Sequence, residues 1–254
     1  MDLVVILNVN PNENTDKKII NNREYTRREL KTILAKGFSE FIKNIIFYDN
    51  FEKFKENVHQ HLDDFVLNFD FGYNSKIRNM NVPAFCENYN IKYFNPDPYV
   101  QVICQDKFMT EKFAENFEIK TPQSLLVFLH SYNKELLSNF NYPVIIKPNY
   151  ESSSIGIDEN NIGYYDSHFF NKVKEMSSCY RQEILLEEFI EGFEAETPVI
   201  SCKDSLGFFP VGINLDFEPY MGDRILNYNN RSIDNYTFFD FSVNFSKVFF
   251  GCFL

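Results

Sequence analysis

Tryptophan is absent from this chain, glycine accounts for only 9 of its 254 residues, and its 25 lysines and arginines are outnumbered by 36 aspartates and glutamates. The formal charge of −11 leaves no basic surplus to displace counterions from a polyanion. That argues against nucleic acid or an anionic membrane surface as a general partner, while a local basic pocket for a nucleotide stays open. No Cys-x-x-Cys pair occurs, and Cys86, Cys104, Cys179, Cys202 and Cys252 are scattered and odd in number. Neither a disulfide framework nor a zinc site is indicated, and reduced core thiols are the expectation. A Walker lysine loop, a Gly-x-Gly-x-x-Gly fingerprint and a Gly-x-Ser-x-Gly elbow are also missing, which removes three common routes to nucleotide or ester chemistry. The N-terminal stretch has no basic start, its apolar run is shorter than a signal h-region, and no later run approaches a membrane span. The sequence therefore predicts a cytoplasmic protein with no membrane partner.

The chain is 44% hydrophobic and 24% charged, a globular composition, and its 29 phenylalanines and 15 tyrosines predict a core filled largely by phenylalanine. Apolar runs at residues 3–7, 45–48 and 65–69 read as strands, separated by a polar loop at 8–16 and by helices at 23–36 and 51–61. The first helix carries Leu30, Ile33 and Leu34 on one face and stops at Gly37. Such alternation predicts a small, doubly wound parallel sheet. A helix at 82–89 and a short strand at 91–94 lead to Asn95-Pro96-Asp97-Pro98, where the composition changes and a domain boundary is placed. Beyond it, helices are expected at 99–104, 106–117, 132–137 and 167–176. Strands are expected at 124–128, 144–146 and 184–187, with a strand pair at 206–213. This is an α+β module.

The chemistry concentrates at residues 143–157. Val144, Ile145 and Ile146 read as a buried strand that ends in Lys147-Pro148, a cation that must meet an anion or reach water. Ser152, Ser153 and Ser154 beside Gly156 offer hydroxyls, little bulk and approachable N–H groups, which suits a loop closing over phosphates. Taken alone, such a stretch is more often only a surface hairpin. It has companions, however: Asp106-Lys107 at a helix start, and a strand running from Ile184 into the carboxylate-rich Glu187-Glu188-Phe189-Ile190-Glu191-Gly192-Phe193-Glu194. Two lysines can neutralise phosphates, and the strand exit can offer backbone to an adenine edge and a carboxylate to ribose hydroxyls.

Over residues 65–200 this constellation resembles the ATP-grasp ligases, and within them the D-alanine–D-alanine ligase group. The resemblance is carried by Asp106-Lys107, by Thr121-Pro122 before a strand, by Pro143 to Pro148 with Glu151 and Ser153-Ser154-Ile155-Gly156, and by Leu186-Glu187-Glu188-Phe189-Ile190 with Glu194. It implies an α/β fold with α+β modules: an N-terminal parallel α/β domain over 1–95, a central ATP-grasp subdomain over 96–188 and a partial C-terminal ATP-grasp subdomain over 189–254. It implies that Lys107 and Lys147 contact ATP phosphates beneath a loop containing Ser153 and Ser154. Glu187, Glu188 and Ile190 would hold the adenine, largely through backbone, and Glu194 the ribose. The implied activity is an ATP-dependent carboxylate–amine ligase working on amino acids or a small peptide through an acyl-phosphate. Phosphoryl transfer fits these residue types, because it is catalysed by positioning and charge neutralisation rather than by a protein nucleophile. A homodimer is the further partner the resemblance raises.

Departures from the family pattern bound these expectations. The glycine-rich loop and glutamate after the first strand are replaced by Asn8-Val9-Asn10-Pro11-Asn12-Glu13, which puts D-alanine in doubt. Ser152 stands where the family commonly has glycine. The family continues into an aspartate and a Glu-x-Asn motif that hold Mg²⁺ through hard oxygen ligands. Asp240 and Asn244, the latter in Ser242-Val243-Asn244, are the candidate counterparts, and a truncated or divergent member is expected. Its alternative function is a nucleotide-binding or partner-binding remnant. Ser153 and Arg231 are the catalytic candidates; Arg224 and Arg231 suit a phosphate or substrate carboxylate and equally suit a plain surface. His59 and His61, two apart on a helix, face different sides and are not expected to chelate a metal together.

Overall fold

The structure is a computed structural model. It describes residues 1–7, 27–70, 76–127, 140, 142–164, 166–202, 205–208, 210–222, 224–227, 229–230 and 235–241. The loop expected at 8–16 and the helix expected at 132–137 lie outside the described residues, as do Arg231 and Asn244. Two compact units result, Met1–Thr121 with Asn149–Ser152, and Pro122–Pro148 with Ser153–Leu254. The Asn95 boundary suggested by composition falls within the first of these.

In the first unit β1 (Leu3–Leu7), β2 (Ile45–Tyr48), β3 (Phe65–Phe69) and β4 (Lys92–Tyr93) form a wholly parallel sheet in the order β2-β1-β3-β4. All five residues of β1 are buried because both faces of the sheet are covered. Val4 and Ile6 pack with Phe54, Val58, Val66, Val82 and Cys86 on one face, and Leu3, Val5 and Leu7 pack with Leu34 on the other. That core pushes the Cys86 thiol pKa up to about 12, because burial penalises the thiolate.

Helices α1 (Arg27–Phe38), α2 (Phe51–Asn57), α3 (Asn81–Asn88), α4 (Pro98–Gln105) and α5 (Lys107–Glu115) belong to the same unit. Polar caps start three of them: the side chains of Asn50, Asp97 and Asp106 accept backbone N–H bonds at the first turns of α2, α4 and α5. Two expectations for α1 need correction. The helix runs through Gly37 to Phe38, a site open enough that no packing demands an end there. Ile33 is 49% exposed, so the stripe facing the sheet is Leu30 and Leu34. The helix expected over 51–61 tightens after Asn57 into a 3₁₀ turn, Val58–Gln60. This turn buries His61, whose Nδ1 lies 2.9 Å from Asp64 Oδ2 and whose Nε2 lies 2.7 Å from Tyr48 Oη, while His59 stays exposed.

The second unit contains an antiparallel sheet of β5 (Ser124–Val127), β6 (Val144–Pro148), β7 (Ile162–Gly163) and β8 (Ile184–Glu188) in the order β5-β8-β6-β7. Helix α6 (Ser167–Tyr180) covers one face, where Val144, Ile146, Ile184 and Leu186 pack against Phe169, Val173 and Met176. This helix outruns its expected end because Ser177 is buried and its Oγ donates to Gln182 O at 2.7 Å, and Arg181 closes it at φ 53° in place of a glycine. A second antiparallel sheet comprises β9 (Gly192–Glu196), β12 (Val211–Asn214), β13 (Tyr220–Gly222) and β14 (Thr237–Asp240) in the order β13-β9-β12-β14, with a separate hairpin of β10 (Val199–Cys202) and β11 (Ser205–Phe208). The strand pair expected over 206–213 is therefore two strands that do not pair: β11 joins β10, whereas β12 lies between β9 and β14.

Candidate nucleotide site

Alternation along β6 and β8 decides which side chains can meet. Even-numbered residues of both strands face α6, so Lys147 and Glu187 project from the opposite face. The register sets Lys147 opposite Leu185 and Ile145 opposite Glu187, making the lysine and the glutamate diagonal neighbours. Lys147 Nζ donates to Glu187 Oε2, in an ion pair whose side chains are 23% and 8% exposed. A cation held this far from water keeps a carboxylate partner until another anion replaces it. Glu188 points the other way; its N–H donates to Gln123 O at 2.8 Å and its carboxylate accepts from Gln123 N at 3.4 Å. Phe189 N–H donates to Pro143 O at 2.9 Å. Ile190 is 65% exposed and makes no hydrogen bond among the described residues, so the strand exit presents bare backbone.

The serine loop after β6 is held in an unusual backbone. Ser153, Ser154 and Gly156 have φ of 51°, 56° and 76°, left-handed conformations that cost a serine about 1 kcal/mol or more each. Ser152, in the position where the family has glycine, is not among the positive-φ residues, so its side chain adds no such strain. Only glycine fits at 156, since a Cβ there would stand 2.7 Å from Tyr180 Oη and 3.0 Å from Pro148 Cγ. The N–H groups of Ser153, Ile155 and Gly156 make no hydrogen bond among the described residues, and neither does Ser153 Oγ. A turn with adjacent unpaired N–H groups is an anion-binding geometry. Ser154 Oγ is engaged instead, donating to Leu226 O at 2.6 Å.

Three asparagines that composition alone gives no reason to single out hold this architecture. Asn161 is fully buried; its Nδ2 donates to Ile146 O and to Gly156 O, both at 2.9 Å, and its Oδ1 accepts from Asp158 N and Lys172 Nζ. Asn227, also buried, donates to Glu159 beside the loop. In the first unit Asn149 is fully buried and clasps the start of α5, accepting from Phe108 N at 3.0 Å and donating to Asp106 Oδ1 at 2.8 Å. The sequence signal available for Asn161 was the Asp158-x-x-Asn161 spacing, which forms a capping box around a 3₁₀ turn.

The remaining candidates divide among elements. Lys107 opens α5 in the first unit, where its Nζ donates to Asn149 O at 3.3 Å and to Glu151 O. Glu194 is half-buried on β9, opposite Ile213 of β12. Arg224 donates to Tyr220 O at 2.9 Å and Met221 O at 3.2 Å, which commits much of its guanidinium to backbone. Asp240 is exposed at the end of β14, and no group of three His, Cys, Asp or Glu side chains converges on a cation site among the described residues. The described residues thus fit a nucleotide, through a lysine, N–H groups that make no hydrogen bond among the described residues and an open strand exit.

Two antiparallel sheets joined through Glu188–Gly192, with a lysine strand and serine loop on one of them, define an ATP-grasp protein. Residues 116–245 match the family described as D-ala D-ala ligase C-terminus, and the chain belongs to that family. It is 30% identical over 154 residues to a D-alanine–D-alanine ligase of Marinomonas sp. (strain MWYL1), a match covering 60% of this chain and 44% of the relative. The fold resembles that of D-alanine–D-alanine ligase from Bacillus anthracis complexed with ATP, with a TM-score of 0.59 and 18% identity over 86% of this chain and 67% of that one. It equally resembles VanG D-Ala:D-Ser ligase from Enterococcus faecalis, with a TM-score of 0.60 and 19% identity over 85% and 70%. The chain spans less than half the length of the Marinomonas relative.

Proposed function

We propose that the chain acts as an ATP-dependent carboxylate–amine ligase of the D-alanine–D-alanine ligase type. The observation that carries the reading is the loop that follows β6 and its Lys147, in which the N–H groups of Ser153, Ile155 and Gly156 make no hydrogen bond among the described residues. Lys147, with Lys107, would neutralise the phosphates, and the N–H groups of Ser153, Ile155 and Gly156 would hold their oxygens. Phosphate would take over Lys147 from Glu187. Glu187, the backbone of Glu188 and Ile190, and Glu194 would hold the adenosine, the open exit of β8 supplying hydrogen-bonding groups for the adenine edge. A substrate carboxylate then attacks the γ-phosphorus, forming an acyl-phosphate as ADP leaves, and an amine attacks the acyl carbon and releases phosphate. Ser153, whose Oγ makes no hydrogen bond among the described residues, would meet the reacting groups, and Arg231 would bind the substrate carboxylate. Relatives named for D-Ala–D-Ala and D-Ala:D-Ser joining favour small amino acids as substrates.

A nucleotide-binding protein without turnover is the second reading. It is favoured by the exposed Asp240 and by the lack of converging metal ligands among the described residues. ADP and phosphate release in the presence of ATP, magnesium and D-alanine or D-serine distinguishes the two, since the second reading predicts binding with no release. Under both, Lys147→Ala lowers ATP affinity by roughly 10- to 100-fold, as expected for a lost charge-assisted contact. A chain that binds no ATP, or that binds it equally well after Lys147→Ala, refutes both.

A further inference from the structure

We propose that Arg78 is a positioning residue for nucleotide binding, acting through the backbone cradle that holds Lys107; this rests on reading Lys107 as a phosphate contact. Arg78 lies in the 3₁₀ turn Arg78–Met80, far in sequence from both lysines. Its side chain is 12% exposed, and its Nη2 donates to Tyr150 O at 2.7 Å and to Glu151 Oε2 at 3.1 Å. One guanidinium nitrogen thus bonds a backbone carbonyl and a carboxylate of consecutive residues. Other contacts grip the same short segment. Gln105, 7% exposed, donates from Nε2 to Tyr150 O at 3.5 Å while its Oε1 accepts from Asn79 N at 3.2 Å next to Arg78, and Lys76 Nζ lies 4.9 Å from the Tyr150 ring centroid.

The Lys107 ammonium takes its bearings from this segment, because the carbonyls of Asn149 and Glu151 are among its acceptors. A lysine has a long, flexible stem, and without fixed acceptors its charge would spread over many rotamers. Arg78 removes that freedom at one remove: it immobilises residues 150–151, and their neighbouring carbonyls immobilise Nζ. Residues 149–152 accordingly group with the first unit although β6 before them and Ser153 after them belong to the second. Burial presses the guanidinium pKa down while Glu151 raises it, and the group remains cationic near neutrality.

The test is isothermal titration of the full chain with MgATP and separately with adenosine, for the unaltered protein, Arg78→Ala and Arg78→Lys. Arg78→Ala is expected to lose about tenfold in ATP affinity with adenosine affinity unchanged, because only the phosphate contacts depend on Lys107. Arg78→Lys should recover part of the loss, keeping the charge but not the planar guanidinium. Equal ATP affinity in Arg78→Ala and the unaltered chain overturns the proposal. So does an equal loss for both ligands, which marks a role in folding alone. Should Arg78→Ala fail to fold, Arg78→Lys decides by the same ATP-to-adenosine comparison. Absence of ATP binding by the unaltered chain would instead refute the reading of the site on which the proposal stands.

Discussion

Replacing Asn161 by alanine should be among the most damaging single changes in the second unit, although the residue touches no proposed ligand. Its amide is fully buried and makes five hydrogen bonds to protein: donated to Ile146 O, Gly156 O and, more weakly, Met176 Sδ, and accepted from Asp158 N and Lys172 Nζ. Alanine leaves two buried carbonyls and one backbone N–H without that partner, while Lys172 keeps its 3.1 Å contact to Asp158. A buried polar group left unpaired costs about 1–3 kcal/mol, and partial relaxation or an entering water recovers some of the sum, so a loss of about 3–4 kcal/mol is expected. For a chain of this size that corresponds to a drop in melting temperature of roughly 6–16 °C. Asn161→Asp is the sharper probe. It preserves the volume but sets a carboxylate oxygen against Ile146 O or Gly156 O, so it should be no better than alanine despite near-isosteric shape. Thermal unfolding by circular dichroism with both variants decides the matter. A loss within about 0.5 kcal/mol, the range of ordinary surface changes, would refute the view that Asn161 pins the loop to β6.

Two glycines on neighbouring strands should respond oppositely to alanine. At Gly212 a Cβ would stand 2.1 Å from Phe239 Cζ, so Gly212→Ala should cost about 1–3 kcal/mol through displacement of that ring, whereas Gly192 has nothing within 4 Å and Gly192→Ala should be near neutral in the same melting assay. Comparable losses at both positions would contradict the packing of β14 on β12. Asp64 supplies a pH signature. Burial raises its pKa, but the hydrogen bonds from Asp2 N and His61, with the charges of His61 and the N-terminus, lower it on balance. A carboxyl with a depressed folded pKa stabilises above its unfolded value, near 3.9, and loses that contribution as pH falls through the folded value. Asp64→Asn should thus be less stable by about 1 kcal/mol at neutral pH, with the gap to the unaltered chain closing below about pH 4. Denaturant midpoints measured across pH check this, and a gap constant with pH would sink it.

How much of this was legible in the sequence depended on whether a residue's surroundings were local. β1 could be read because five consecutive apolar residues needed no knowledge of their partners to be assigned a buried strand. The end of α6 could not. The sequence pattern ended it at residue 176, whereas the helix runs to Tyr180, where Ser177 bonds Gln182 O and the left-handed Arg181 closes it. Pairing was equally hidden: β11 and β12 are separated by two residues yet belong to different sheets, because β12 is claimed by β9 and β14. The candidate site shows the same division. Lys147 and the serines announced themselves by charge and composition, whereas the pairing of Lys147 with Glu187 depends on the register of β6 against β8. Asn149 and Asn161 did not, since an asparagine between strands reads as turn filler, and its burial is decided by what the rest of the chain brings to it. Yet these two bracket the loop. Asn149 is clasped by the start of α5, Asn161 by the carbonyls of Ile146 and Gly156, and between them lie all the left-handed residues of the loop. Within the second unit the strained backbone is held by the buried amide of Asn161, while the N–H groups of Ser153, Ile155 and Gly156 make no hydrogen bond among the described residues.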